Sequence, residues 1–210
     1  MRFSGHKFGS LELLLAAYGL GVAGTLWDWR EHYVGVSLQA LHLMIDVGGL
    51  FAIGVLGFSD YQRLGKGASL VIYTLLALVV LIATGPFLLM MVAPHSQLMA
   101  SLKAWGMTRG AMLIELPIVL HAGWAAWRWL RLAPLQTWRI AAAIGVVIVA
   151  LGSIWDLYWH QIHPLEMGGS MMTLPPHQLI LGGFVLGLIG SAVGVAIVAR
   201  RSSSVDRLHT

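Results

Sequence analysis

The sequence predicts an all-α integral membrane bundle of six transmembrane helices. Three observations carry that prediction: few charges, six apolar stretches of bilayer length, and a lopsided distribution of Lys and Arg. Of the 210 residues, 58% are hydrophobic and 10% charged. Soluble domains carry about 25% charged residues, so this chain has too little polar surface to face water all round. Lipid is the solvent it suits.

A hydrocarbon core about 30 Å thick needs roughly 20 apolar residues in a helix. Six stretches meet that length: Phe8–Trp29, Leu38–Phe58, Ser69–Val92, Gly110–Trp129, Trp138–Trp159 and Pro176–Ala199. Ser96–Thr108 is less apolar and reads as a short surface helix. No soluble domain interrupts the pattern, so residues 1–210 read as a single transmembrane helical domain. The first stretch has no small-residue cleavage site behind a short apolar core, and it reads as a retained helix, not a removed signal peptide. The chain has 25 glycines, as expected where lipid-embedded helices approach through small residues.

Orientation follows from the cations. With six spans, the side holding both termini carries Arg2, Lys7, Arg63, Lys66, Arg128, Arg131, Arg139, Arg200, Arg201 and Arg207. The opposite side carries Arg30, Lys103 and Arg109. Excess Lys and Arg marks cytoplasmic loops, which puts both termini in the cytoplasm of a bacterial inner membrane. The same rule accounts for the net charge of +4 without nucleic acid, and no nucleic-acid-binding motif occurs. The chain has no cysteine, which excludes disulfides, thiolate metal sites and Cys nucleophiles. Phosphate loops, dinucleotide fingerprints and hydrolase nucleophile motifs are missing as well. The expected partners are lipid and either further copies of the chain or a larger membrane complex.

Two strings stand out against this apolar background. The end of helix 1 reads Gly24-Thr-Leu-Trp27-Asp28-Trp-Arg-Glu-His32, and the end of helix 5 reads Gly152-Ser-Ile-Trp155-Asp156-Leu-Tyr-Trp-His160. A histidine opens the following helix in each case, His42 and His177, and each of those helices continues into a glycine pair, Gly48-Gly49 and Gly182-Gly183. The pattern predicts an internal duplication of helices 1–2 and 5–6, with both strings facing the extracytoplasmic side. Asp and His four residues apart share one face of a helix. With an imidazole from the next helix they make three convergent oxygen and nitrogen donors, the minimum inner shell of a metal site with an open position. The expected metal ligands are therefore Asp28, His32 and His42, and Asp156, His160 and His177. The plainer alternative is an Asp–His hydrogen bond that ties two helices together.

Further residues extend the candidate set. Asp46 lies one turn beyond His42, while Glu115 and His121 lie within helix 4 on either side of Pro117. Ionisable groups inside spans are costly and need partners. His95, His163 and Glu166 read as loop residues. Every methionine after Met1 falls in the extracytoplasmic half. Thioethers are soft ligands that favour Cu(I), although gap-filling explains each of them singly.

The second string, Asp156-x3-His160 followed by His177 on the next helix, resembles the metal site in the C subunit of copper membrane monooxygenases, the particulate methane and ammonia enzymes. That resemblance implies copper at Asp156, His160 and His177 and, by extension, oxidation of a small molecule. The two-fold occurrence of the motif is not part of that family's pattern. Zinc, iron and haem b are alternatives to copper. A b-type haem or quinol-reactive subunit, with paired axial histidines, and a transporter or accessory subunit remain alternatives to a redox metalloprotein.

Overall fold

The computed structural model describes residues 10–34, 42–63, 109–131, 135–162 and 175–206. They form five helices: α1 (Ser10–Val34), α2 (His42–Arg63), α3 (Arg109–Arg131), α4 (Thr137–Ile162) and α5 (Pro175–Asp206). Among the described residues there is no strand. The expected span Ser69–Val92 and the surface helix Ser96–Thr108 lie outside the described residues.

Three helices contain stretches long and apolar enough to cross a membrane: Ser10–Asp28 in α1, Thr137–Asp156 in α4 and Pro175–Arg200 in α5. They mark the chain as an integral membrane protein. The apolar stretch of α2 is shorter, Met44–Gly57. The helices also outrun their apolar stretches. α1 continues through His32 to Val34, and α4 through His160 to Ile162. Backbone hydrogen bonding does not stop where hydrophobicity does, so both Gly-to-His strings are helical from end to end.

Helix ends follow local chemistry. α1 has Glu12 in its first turn and α3 has Arg128 and Arg131 in its last, each opposite in sign to the partial charge of that terminus. α5 opens on Pro175-Pro176, where a missing N–H is no loss. The first turn of α4 closes with Arg139 N and Ile140 N donating to Gln136 O, at 2.9 and 3.1 Å. Arg139 is buried, donates to the Trp129 carbonyl and lies over the Trp129 ring with its Cζ 4.9 Å from the centroid. That contact pins the end of α3 to the start of α4.

α4 and α5 share the most extensive interface, followed by α1 and α2; α1 also packs on α5, and α3 lies against α4 and α2. Helices in lipid have little hydrophobic reason to associate, so close approach through small residues carries the packing. A methyl group added at Gly48 would stand 2.8 Å from Gly21 N and 2.9 Å from Ala17 O, so α2 rests on the backbone of α1. One added at Gly183 would stand 2.8 Å from both Val149 N and Gly145 O, so α5 rests on α4 in the same manner. Between the pairs sits Tyr18, fully buried, its hydroxyl donating to the Ala142 carbonyl. Its ring meets Phe184 edge-on, centroids 6.5 Å apart at 71°. A buried hydroxyl without a partner is costly, and this bond joins α1 to α4 where α1 already touches α5.

Adjacent glycines in α5 test this packing. Gly183→Ala forces a methyl into the α4 backbone and should destabilise the fold by about 1–3 kcal/mol, the usual cost of overpacking. Gly182 has open space around its would-be Cβ, so Gly182→Ala should be neutral or stabilising by up to about 1 kcal/mol. Thermal unfolding of the detergent-solubilised variants, followed by circular dichroism, reads the difference. Equal shifts in both variants would contradict the packing described.

Candidate metal centre

The site is built at the junction of α4 and α5. Gly152 lies one turn before Asp156, and a methyl there would stand 2.7 Å from Ile180 Cγ1 and 3.0 Å from Ile180 N. The backbone of α5 therefore lies directly against α4 at this level. Pro176, fully buried, holds the first turn of α5 with a fixed φ, and His177 follows it. The outcome is a direct contact: His177 Nε2 lies 2.9 Å from Asp156 Oδ1. The His177 side chain is 10% exposed and that of Asp156 22%, so water competes weakly for the pair.

His160, the third residue of the expected set, stands one turn beyond Asp156 on α4, at the spacing that shares a helix face. Its side chain lies outside the described residues. In the first string, Asp28 is buried, while His32 and His42 belong to α1 and α2 with side chains outside the described residues. The Glu115 side chain, His95, His163 and Glu166 are likewise outside the described residues. Asp46 is half-buried and lines a cleft with Ser153. His121 is half-buried in α3 with its ring against Trp124, 5.4 Å between centroids and tilted by 30°. Among the described residues, no three His, Asp or Glu side chains come together. Asp156 and His177 are thus the two expected ligands that the described structure joins.

The two helix pairs make matching contacts. Gly24 of α1 abuts Ile45 of α2, its would-be Cβ 3.1 Å from Ile45 N, as Gly152 abuts Ile180. Gly48 rests on Ala17 and Gly21 as Gly183 rests on Gly145 and Val149. Thr25 Oγ1 donates to Gly21 O at 2.8 Å, and Ser153 Oγ donates to Val149 O at 3.0 Å. Each of these hydroxyls stands three residues before its aspartate. His42 stands three residues before Ile45, and His177 three before Ile180.

No family model, curated protein or solved structure matches the chain. Function has to be argued from the chemistry of the site. Two donors about 2.0–2.1 Å from one ion and at right angles to each other stand about 2.9 Å apart. The Asp156–His177 separation therefore suits neighbouring ligands of one metal as well as it suits a direct ion pair. Carboxylate oxygen and imidazole nitrogen are a donor set for copper, zinc or iron.

Sequence reasoning missed three features. Tyr18 reads as an ordinary core residue until its bond to Ala142 is seen. Arg139 reads as one more cytoplasmic cation, yet it is buried on Trp129. Ser153 belongs to the Gly152–His160 string, and its place beside Asp46 depends on α2 lying near α4, which no spacing encodes.

The pair itself is measurable. Asp156→Ala or His177→Ala alone should destabilise the metal-free protein by about 1–3 kcal/mol, the cost of removing one member of a close, largely buried polar pair. The double variant should cost clearly less than the two effects added. Strict additivity in that cycle would mean that the side chains do not interact.

Proposed function

We propose that this chain is an integral membrane metalloprotein that binds copper through Asp156, His160 and His177 and supports a redox, monooxygenase-like reaction. The carrying observation is the 2.9 Å contact between a carboxylate and an imidazole from different helices, drawn from residues 21 positions apart in sequence. The Asp156 carboxylate would offset the charge of the ion, and the two imidazoles would hold it. Bound copper would supply one-electron chemistry. Trp155 and Trp159, edge-on at 6.5 Å on the same helix, would screen the site from lipid.

The reading includes a second, equivalent set, Asp28, His32 and His42, arising from duplication of α1–α2 as α4–α5. The matched glycine contacts and the matched Thr25 and Ser153 bonds support that part. It also includes six spans, with both termini cytoplasmic and both sets extracytoplasmic, on the strength of the Lys and Arg distribution. A haem is less favoured because an aspartate stands against His177, a mixed carboxylate–imidazole donor set instead of the paired axial histidines of a b-type haem. A transporter is less favoured because the Asp-His strings stand at helix ends, away from the midplane where transport sites lie.

Elemental analysis of protein purified from copper-replete cells tests the proposal. It should give stoichiometric copper, lost in Asp156→Ala, His160→Ala and His177→Ala, and no Soret band in the visible spectrum. Protein without metal, and variants indistinguishable from it, would defeat the proposal. A Soret band would redirect it to haem.

A further inference from the structure

At the other end of α4 from Asp156, the elbow between α3 and α4 gathers cations and aromatic rings. The apolar stretch of α4 begins at Thr137, so this elbow stands at a membrane surface. Trp127 is exposed, and two guanidinium groups lie over its ring, Arg131 Cζ 4.6 Å and Arg128 Cζ 5.7 Å from the centroid. Arg131 is itself exposed. Arg139 is buried at the same elbow, and among the described residues neither Arg131 nor Arg139 has a carboxylate partner. Arg139 Nη1 and Trp129 Nε1 are buried donors without an acceptor. A cation in a membrane span is costly unless an opposite charge offsets it. Along α3, the exposed residues Leu116, Leu120, Trp124 and Trp127 recur at steps of four, four and three, which is one helix face. One step of four further along that face stands Arg131.

We propose that this elbow binds one anionic phospholipid, with its phosphodiester on Arg131 and Arg128 and an acyl chain along the α3 stripe. Charge complementarity selects the occupant. A guanidinium presents a planar fork of N–H groups that matches phosphate oxygens, and the Trp127 ring holds both forks by cation–π attraction. Arg139 adds its charge from beneath without touching the lipid, because its Nη1 is enclosed. The stripe from Leu116 to Trp127 rises roughly 16 Å at 1.5 Å per residue, close to half of a hydrocarbon core about 30 Å thick and hence one leaflet. A soluble phosphate would use the arginines and leave the stripe idle. A zwitterionic lipid brings an ammonium group that the arginines repel. Glu12, the acidic residue in the first turn of α1, belongs to a helix packed on α2 and α5. The site lies away from Asp156 and His177 and is independent of the copper reading.

Native mass spectrometry of the full chain, released from detergent containing equal amounts of phosphatidylglycerol and phosphatidylcholine, tests the site. The protein should retain one phosphatidylglycerol several-fold more often than one phosphatidylcholine. Arg131→Gln should remove most of that preference, since one arginine beside an anionic headgroup contributes about fivefold, and Arg131→Lys should keep part of it. Trp127→Leu, which keeps the apolar surface and loses the ring, should lower it independently. Arg201→Gln/Arg207→Gln removes two positive charges near the end of the chain and should leave the preference intact, as should inorganic phosphate at the concentration of the lipid. Equal retention of the two lipids, or an undiminished preference in both Arg131→Gln and Trp127→Leu, would overturn the site. Equal loss in Arg201→Gln/Arg207→Gln would replace it with a diffuse attraction to the whole surface, and displacement by phosphate would replace the lipid with a soluble anion. Copper content should be the same in Arg131→Gln as in the wild type, so the two proposals fail separately.

Discussion

The whole arrangement depends on how closely α2 approaches α1 and α5 approaches α4. Gly48 and Gly183 each leave room for a neighbouring backbone where a methyl would stand under 3 Å away. In lipid there is no large hydrophobic reward for bringing two apolar helices together, so contact depends on shape. Once the backbones touch, the residues at their upper ends have little freedom to separate. Gly152 against Ile180 is the last such contact before Asp156, and it is why a carboxylate on one helix meets an imidazole on the next.

The same constraint explains where the pairs differ. Backbone contacts are matched along both pairs, but the side chains between them are not. Tyr18 and Phe184 occupy one side of the centre, and Tyr18 bonds across to Ala142. Val146 and Gly49 line the neighbouring cleft with α3 alongside, and a methyl at Gly49 would stand 3.9 Å from Phe184 Cζ. Rigid backbone contacts allow side chains elsewhere to shrink without collapse of the bundle, because a helix held by a neighbouring backbone cannot move inward to close the gap. A cleft beside a fixed polar site is the result.

Much of this was legible in the residues. Low charge and long apolar stretches specify helices in lipid, and α1, α4 and α5 carry stretches of that kind. The Asp-x3-His spacing and the histidine after Pro175-Pro176 pointed to Asp156 and His177 as neighbours, and they are. Helix ends were less legible: hydrophobicity stops near Trp29 and Trp159, but hydrogen bonding carries α1 to Val34 and α4 to Ile162. The burial of Arg139 and the cleft at Gly49 were not legible, because both depend on which helix lies across from which. A periodic pattern reports the face a residue occupies, never its neighbour on another helix.

The central claim is that Asp156 and His177 are adjacent ligands of one copper ion. Pulsed electron paramagnetic resonance on Cu(II)-loaded protein addresses it directly, because the remote nitrogen of a bound imidazole modulates the electron spin echo. Coordination by His160 and His177 predicts modulation from more than one imidazole in the wild type and a reduced number in His177→Ala. Identical modulation in the two proteins, or none in either, would contradict it.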